Sequence, residues 1–257
     1  MLVFRAVRRA LYWYLPLGIA LLACAVFAGG LYTFIRGDIG TPVGIVTSPV
    51  QAAPPRGTIA PLILGDSLAL GTGDQSGLGI GGRLVQDLKN AHREVRPAVN
   101  LAVNGARTRD LLAQLQSRNV QTLIAQANVV VVSIGGNDLW GTTDLRNGPL
   151  TDPEKVMDSV LERVAKVMTD VRAANPTARI FIIGLYNPLA TMPGGQRLSP
   201  LVSRWNAKLL EQFANDPNLT VVPTSDIFSH RDRLSFDRFH PDDEGYALIA
   251  QRIAESL

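Results

Sequence analysis

Three residues of the sequence carry the side chains needed for nucleophilic attack on a carbonyl carbon. Ser67 lies in the stretch LILGDSLALG, residues 62–71, where an apolar run ends abruptly on Gly-Asp-Ser. A serine hydroxyl is inert near neutral pH unless a base takes its proton. His240 is the candidate base, and Asp237 stands three residues before it, so one turn can bring the carboxylate to the imidazole. The three residues predict a Ser-His-Asp triad whose base lies on a loop, because Pro241 disfavours helical geometry at His240.

Acyl transfer also needs hydrogen-bond donors around the oxyanion of the transition state, each contributing about 3–4 kcal/mol. The backbone N–H of Ser67 is one candidate, and Gly105, in NGART, offers a second where the missing side chain lets a substrate approach. Asn137, in GGNDLW, offers its side-chain amide after the most apolar predicted strand. Trp140, three residues further on, either lines an acyl pocket or packs against its neighbours. We therefore predict an oxyanion hole formed by Ser67, Gly105 and Asn137.

Each of these residues also has a purely structural interpretation. Ser67 and Asn137 are of types common at helix N-caps, and Gly105 suits a turn. Asp237 and His240 could form a solvated surface pair. Their joint occurrence in one chain favours the catalytic interpretation of the whole set.

Three other features compete for a functional role. His92 in NAHREVR and His230 in SHRDR have charged neighbours, so both are predicted to lie on the surface. Asp226 is a rival to Asp237 as the triad carboxylate, but no histidine stands at the matching spacing. The segment GLGIGG, 77–82, satisfies the dinucleotide fingerprint, yet it begins well beyond the predicted strand and lacks an acidic residue about 20 positions further on. No nucleotide cofactor is expected.

The elements that must position these residues alternate between strand and helix patterns beyond residue 58. TDPE at 151–154 predicts a helix that begins with a capping box and has Pro153 just inside it, and the final DEGYALIAQRIAESL predicts another helix. Five short apolar runs fit strands buried on both faces: Pro61–Leu64, Val99–Val103, Val129–Ile134, Ile180–Leu185 and Leu219–Val222.

This alternation predicts an α/β fold with a five-stranded parallel sheet, right-handed crossovers and helices on both faces. In such folds the loops at the carboxyl ends of the strands converge on the ligand crevice. Three of these ends carry the polar sequences GDSLALG, NGART and GGNDLW, and FDRFHPDDEGY precedes the last helix. The candidate catalytic residues are therefore expected to meet at one edge of the sheet.

The chain resembles the SGNH or GDSL hydrolases, which are named for Ser, Gly, Asn and His in four sequence blocks. GDSL matches the nucleophile block at Ser67, and NGA matches the glycine block at Gly105. GGND matches the asparagine block at Asn137, and DRFHP matches the Asp-x-x-His block at Asp237 and His240. The four blocks occur in the family's order, and no triad or oxyanion position departs from the pattern.

The resemblance spans roughly residues 58–257 and implies a three-layer α/β/α, flavodoxin-like domain that hydrolyses esters or thioesters without a metal or organic cofactor. With an anchor, GTGD after the nucleophile block and GLYNP after the fourth strand, the chain is similar to the lipase/acylhydrolase-like GDSL proteins of bacterial cell surfaces. The expected substrate is an acyl ester of a lipid, as in a lysophospholipase or carboxylesterase. Two alternatives stay open: an O-acetyl esterase acting on cell-wall polysaccharide, and a catalytically weak module for envelope binding or assembly.

An uncharged run over residues 11–35 predicts a single transmembrane signal-anchor helix. Twenty-five helical residues rise roughly 37 Å, enough to cross a hydrocarbon core of about 30 Å, and Pro16 lies near the start, where it harms a helix least. Arg5, Arg8 and Arg9 precede the run, so the N-terminus is expected in the cytoplasm and the catalytic domain outside the cell membrane.

The segment after the anchor is rich in Gly, Pro, Ser and Thr and is predicted to be a tether. Two rivals to a retained anchor exist: cleavage at the small residues around Cys24, and lipidation of Cys24 itself in LLAC. The predicted organisation is a cytoplasmic N-terminus over 1–10, the anchor over 11–35, the linker over 36–57 and the hydrolase domain over 58–257.

The charge of the chain bears on whether it binds nucleic acid, and its cysteine content bears on whether it can form a disulfide. The net charge is +3, but four of the 25 basic residues flank the anchor, which leaves 21 against 22 acidic residues in the rest of the chain. This balance gives no reason to expect a nucleic-acid partner. A single cysteine permits no intramolecular disulfide, so the outer domain must be stabilised by its core.

Overall fold

The computed structural model describes the greater part of the chain, namely residues 14, 16–30, 32, 54, 57–140, 152–190, 192–229 and 233–257. Two compact units make up the chain, Met1–Val50 and Gln51–Leu257. Among the residues so described, no helix combines the length and the apolar character needed to cross a bilayer. Within the predicted anchor, residues 16–30 are helical and their side chains are exposed. The predicted linker lies almost entirely outside the described residues, and the membrane anchor and the linker both stay predictions.

The centre of the second unit is a parallel sheet of five strands in the order β2-β1-β3-β4-β5. This topology confirms the α/β fold and the parallel sheet predicted from the sequence. The strands are β1 Pro61–Gly65, β2 Val99–Asn100, β3 Val129–Ser133, β4 Arg179–Ile183 and β5 Leu219–Val222.

Helices cover both faces of this sheet. Their bounds are α1 Ser67–Leu70, α2 Gly79–Asn90, α3 Thr108–Leu115, α4 Arg118–Gln126, α5 Gly136–Trp140, α6 Pro153–Ala174, α7 Ser199–Phe213 and α8 Asp243–Glu255, with two 3₁₀ turns at Gly195–Leu198 and Ile227–Ser229. Alternate strand residues point to opposite faces, so each strand contributes to two separate cores. One core packs the sheet against α3, α4, α6 and α7, and the other packs it against α2 and α8.

The two edge strands differ from the prediction. Both residues of β2 are exposed, and β5 is only partly buried, whereas β1 and β3 are buried throughout. An edge strand has one neighbour instead of two, which explains the exposure. The predicted strand Val99–Val103 is wrong beyond Asn100, where the chain forms an Asx turn as the Asn100 side chain accepts a hydrogen bond from the N–H of Ala102 at 3.0 Å.

The N-cap of helix α6 lies one residue after the N-cap predicted from the capping box. Asp152 is the N-cap, and its side chain accepts a hydrogen bond from the N–H of Lys155 at 3.1 Å. Pro153 occupies the first helical turn, as predicted. Thr151, the cap expected from the TDPE pattern, lies outside the described residues.

Candidate active site

Strand β1 ends on Gly-Asp-Ser because β3 leaves no room for a side chain beside it. Gly65 has a φ of +129°, which favours glycine, and a Cβ on it would lie 1.8 Å from the carbonyl oxygen of Ser133. Asp66 follows in extended conformation and caps α1, since its side chain accepts a hydrogen bond from the N–H of Leu68 at 3.1 Å. Ser67 is therefore the first residue of α1, held at the carboxyl edge of the sheet.

A chain of hydrogen bonds joins the three predicted triad residues. Ser67 Oγ lies 2.8 Å from His240 Nε2, and His240 Nδ1 lies 2.6 Å from Asp237 Oδ2. When the imidazole carries its proton on Nδ1, it donates to Asp237 and accepts the hydroxyl hydrogen of Ser67. The structure thus brings together residues 173 positions apart, in the arrangement that proton transfer from a serine requires.

The loop before α8 fixes the carboxylate of Asp237 through one oxygen and leaves the other for the imidazole. Oδ1 accepts hydrogen bonds from the Ser235 hydroxyl at 2.7 Å and from the N–H groups of Phe239 and His240, both at 2.9 Å. Partial burial raises the pKa of Asp237, but these hydrogen bonds and the one from the His240 ring outweigh it, so the pKa lies well below its usual range. Asp237 is therefore ionised whenever the imidazole needs a counter-charge.

A second carboxyl group, Asp66, lies buried beside Ser67, the predicted nucleophile. Burial raises its pKa to about 6, although hydrogen bonds from the Ser133 hydroxyl and the Leu68 N–H act in the opposite direction. Its Oδ1 accepts the Ser133 bond at 2.9 Å. Because Ser133 is the last residue of β3, this bond ties the nucleophile turn to the neighbouring strand.

Of the three predicted oxyanion donors, two line the same cleft and the third does not. Asn137 lies in the first turn of α5 and lines the same cleft as Ser67 and His240. Its Nδ2 donates one hydrogen bond to the carbonyl oxygen of Ala106 at 2.9 Å, which leaves its second N–H available. Gly105, next to Ala106, has a φ of +76°, and the space where a side chain would begin is open. It lies in the loop after β2 and is not part of the cleft wall.

Comparison with known proteins identifies the family. Residues 63–248 match the sequence model of the GDSL-like lipase/acylhydrolase family. The chain belongs to this family. The uncharacterized protein YpmR of Bacillus subtilis is 31% identical over 205 residues, which cover 76% of this chain and 79% of YpmR. The spore germination lipase LipC of Bacillus licheniformis is 24% identical over 204 residues, which cover 74% of this chain and 92% of LipC.

A solved structure agrees with this assignment at the level of the fold. The lipase Lip_vut3 from a goat rumen metagenome superposes with a TM-score of 0.67 at 22% identity, over 77% of this chain and 97% of that lipase. Membership of the GDSL-like lipase/acylhydrolase family identifies the GDSL protein as an enzyme that hydrolyses ester bonds.

The GDSL domain has a narrow cleft above the predicted triad, with a cavity volume of about 40 Å³. The cleft is walled on one side by the apolar residues Leu185, Tyr186, Pro188 and Phe239. Tyr186, which sequence reasoning missed, donates its hydroxyl hydrogen to the Phe239 carbonyl oxygen at 2.7 Å and so braces the loop beside His240. The side chain of Trp140, the predicted pocket residue, lies outside the described residues.

A buried polar network, also missed, joins the two loops that carry the predicted oxyanion donors. Asp138 accepts hydrogen bonds from the N–H of Thr108 at 2.8 Å and from its hydroxyl at 2.7 Å. Arg163, on α6, donates to the Thr108 hydroxyl at 2.8 Å and to Asp138 at 3.3 Å. Because Asp138 directly follows Asn137 and Thr108 opens α3, the network fixes α3 against α5. The GGND motif includes Asp138, but no sequence pattern indicates that Thr108 and Arg163 are its partners.

The competing residues have other partners or other roles. Asp226 pairs with Arg252 on α8, which excludes it as the triad carboxylate in this arrangement. His92 is exposed, as predicted, and His230 lies outside the described residues. In the segment 77–82, Gly79 permits close packing, because a Cβ on it would lie 3.0 Å from the backbone of Gly71, where α2 approaches α1.

Proposed function

We propose that this GDSL enzyme cleaves acyl esters with Ser67 as nucleophile, His240 as general base and Asp237 as the group that orients and charges the base. The observation that carries the proposal is the unbroken hydrogen-bond chain from the Ser67 hydroxyl through the imidazole to the carboxylate, at 2.8 and 2.6 Å, in the cleft of an ester-hydrolysing fold.

The reaction would proceed in two balanced steps. In the first, Ser67 Oγ attacks the ester carbonyl carbon while His240 Nε2 takes the hydroxyl proton, and the alcohol then leaves with that proton. In the second, water attacks the acyl-enzyme, gives its proton to the imidazole, and Ser67 is regenerated as the acid departs. The N–H group of Ser67 and the side-chain amide of Asn137 would stabilise the oxyanion, because both residues line the cleft, whereas Gly105 lies outside the cleft wall.

The proposed substrates are esters of lipids. The proposed location of the catalytic domain is outside the cell membrane. The apolar cleft wall suits a hydrocarbon acyl chain better than a sugar. The uncharged run over 11–35, preceded by arginines, supports a retained signal anchor with the N-terminus in the cytoplasm. Retention would be tested by detecting the intact N-terminus in the membrane fraction, and the Cys24→Ser variant would separate an anchor from a lipid attachment.

The esterase proposal is tested with p-nitrophenyl esters from acetyl to palmitoyl. The Ser67→Ala variant is expected to lose at least about 10³-fold in kcat on every ester, because the nucleophile acts as a unit with its base. Ser117→Ala is the matched control, since this exposed serine begins α4 without a side-chain cap. Equal rates for the wild type and Ser67→Ala would instead support the weak binding module. A rate confined to acetyl esters would favour the O-acetyl esterase.

A further inference from the structure

Large exposed apolar side chains concentrate at one edge of the catalytic domain. In its described part, only Val99 and Leu210 of this set lie elsewhere, on edge strand β2 and on helix α7. The other five lie on segments at the carboxyl edge of the sheet: Leu70, Val103, Met192, Phe236 and Phe239. Phe236 is the extreme case, with 89% of its surface exposed. A folded domain has no internal use for a phenylalanine in that position.

These side chains sit beside the catalytic groups in sequence and in space. Leu70 is the last residue of α1, and Ser67 is the first. Phe236 directly precedes Asp237, and Phe239 follows it by two residues. The N–H of Val103 donates to the carbonyl oxygen of Gly65 at 2.9 Å, so this residue also lies next to the nucleophile turn. Phe239 lines the cleft itself, and Leu70, Val103 and Phe236 lie on segments next to the predicted triad.

The same edge carries positive charge. The segments 67–73, 102–109, 192–198 and 233–240 contain no acidic residue apart from Asp237 of the predicted triad, although Asp74, which is paired with Arg83, and Asp110 directly follow two of them, and Asp242 stands two residues after the last. They contain five arginines: Arg107, Arg109, Arg197, Arg233 and Arg238.

Most of this positive charge is free to meet an external anion. Arg109 lies 3.8 Å from Asp110 and Arg233 lies 3.7 Å from Glu244. The other three arginines have no ion-pair partner among the residues that the structure describes. Exposed apolar side chains interspersed with unpaired arginines match the two layers of a membrane interface, acyl chains below and phosphates above.

We propose that this edge is a docking surface for a bilayer that contains anionic phospholipid, and that docking turns the mouth of the cleft toward lipid esters in the membrane. The docking surface is defined by Leu70, Val103, Met192, Phe236 and Phe239 together with Arg107, Arg197 and Arg238. The inference rests on the proposed esterase function for its purpose, but docking itself requires no hydrolysis.

The test places a fluorescent label on the docking surface of the full chain. Cys24 is the single cysteine, so a Cys24→Ser background permits labelling of Phe236→Cys with a nitrobenzoxadiazole dye. The matched control is Leu210→Cys, which is 56% exposed near the end of α7, on the side where β5 begins. Both proteins are reconstituted into phosphatidylcholine vesicles with nitroxide headgroup quenchers, with or without phosphatidylglycerol.

The label at 236 is expected to be quenched in vesicles that contain phosphatidylglycerol, and the label at 210 is not. Each arginine near an anionic surface raises the ratio of docked to undocked protein roughly five-fold, so Arg197→Gln should lower that ratio by this factor. Arg93→Gln, on the opposite edge after α2, should leave it unchanged.

Equal quenching at 236 and 210 would overturn the proposal, and so would quenching at 236 that does not depend on phosphatidylglycerol. A second label at Val103→Cys must behave like the label at 236. Hydrolysis of a water-soluble ester by the unlabelled Cys24→Ser protein separates the two proposals: docking of the labelled proteins without hydrolysis by this parent refutes the esterase alone, and hydrolysis without docking refutes the docking surface alone.

Discussion

Asp237 offers the sharpest test of the triad at the scale of single residues. Asp237→Asn keeps the size of the side chain but removes the charge that stabilises the imidazolium and selects its tautomer. We expect kcat to fall by about 10³–10⁴-fold, with a small change in KM, because the loss is confined to the transition state. Steady-state kinetics on a short-chain p-nitrophenyl ester measure both constants.

The rival carboxylate supplies the control for this prediction. Asp226 is paired with Arg252 and has no contact with the imidazole, so Asp226→Asn should retain the wild-type kcat. A larger loss for Asp226→Asn than for Asp237→Asn would reverse the assignment of the third triad residue.

Residue types and local spacing were sufficient to propose Ser67, Asp237 and His240, because short motifs carry them. They were not sufficient for Asp138 or Tyr186, whose roles depend on partners 30 and 53 residues away in the chain. A buried carboxylate bound by a threonine and an arginine has no local pattern. Its role becomes visible only when the fold brings α3, α5 and α6 together.

At the scale of elements, the contact between β1 and β3 decides where the nucleophile stands. Gly65→Ala would place a methyl group 1.8 Å from the backbone of β3, and a strand in the middle of the sheet cannot move aside. We expect a loss of at least about 3 kcal/mol in the free energy of unfolding, from overpacking together with an unfavourable positive φ. Denaturant unfolding followed by circular dichroism measures this loss.

The variant Gly105→Ala separates the cost of overpacking from the cost of a positive φ. Gly105 also has a positive φ, but a side chain there would extend into open space. We expect this variant to lose only about 1–2 kcal/mol, the penalty for an alanine in left-handed conformation. If Gly65→Ala proves as stable as Gly105→Ala, the close packing of β1 on β3 does not set the position of Ser67.

How accurately a strand could be predicted from the sequence depends on whether it has one or two neighbouring strands in the sheet. The apolar runs that became β1, β3 and β4 were predicted within one or two residues, since central strands are buried on both faces and their composition shows it. The run at 99–103 is also largely apolar, yet its regular strand ends at Asn100, and beyond it only the N–H groups of Leu101 and Val103 still donate to β1. The sequence carries no mark that distinguishes an edge strand from a central one.

Over the whole molecule, the convergence at the carboxyl edge was predictable because a parallel sheet gathers its strand ends. What could not be predicted was which side chains would cover that edge from outside, since exposure depends on every neighbouring loop. Phe236 reads in the sequence as one more apolar residue beside Asp237. Its near-complete exposure is one of the observations that support the proposed docking surface.

Three carboxyl groups give the folded domain a definite dependence of stability on pH. Burial raises the pKa of Asp66 from 3.8 to about 6 in the native state, so the folded protein binds an extra proton between these values and loses stability as pH rises from about 4 to about 6. The expected loss from this group is up to about 3 kcal/mol. Asp237 and Asp74 act oppositely: hydrogen bonds overcome partial burial and lower their pKa, so their contribution is present above about pH 4 and is lost at lower pH.

The stability of the domain should therefore be greatest near pH 4 with respect to these groups, and Asp66 should account for the decline on the alkaline side. Asp66→Asn keeps an oxygen that can accept the hydrogen bonds from Leu68 and Ser133 but cannot ionise. We expect the variant to match the wild type at pH 4 and to exceed its free energy of unfolding at pH 7, as measured by urea unfolding across this range. Glu162→Gln, at an exposed position on α6, should keep the wild-type decline. If Asp66→Asn is instead less stable than the wild type at pH 7, the ionised carboxylate stabilises the nucleophile turn, and burial does not control its titration.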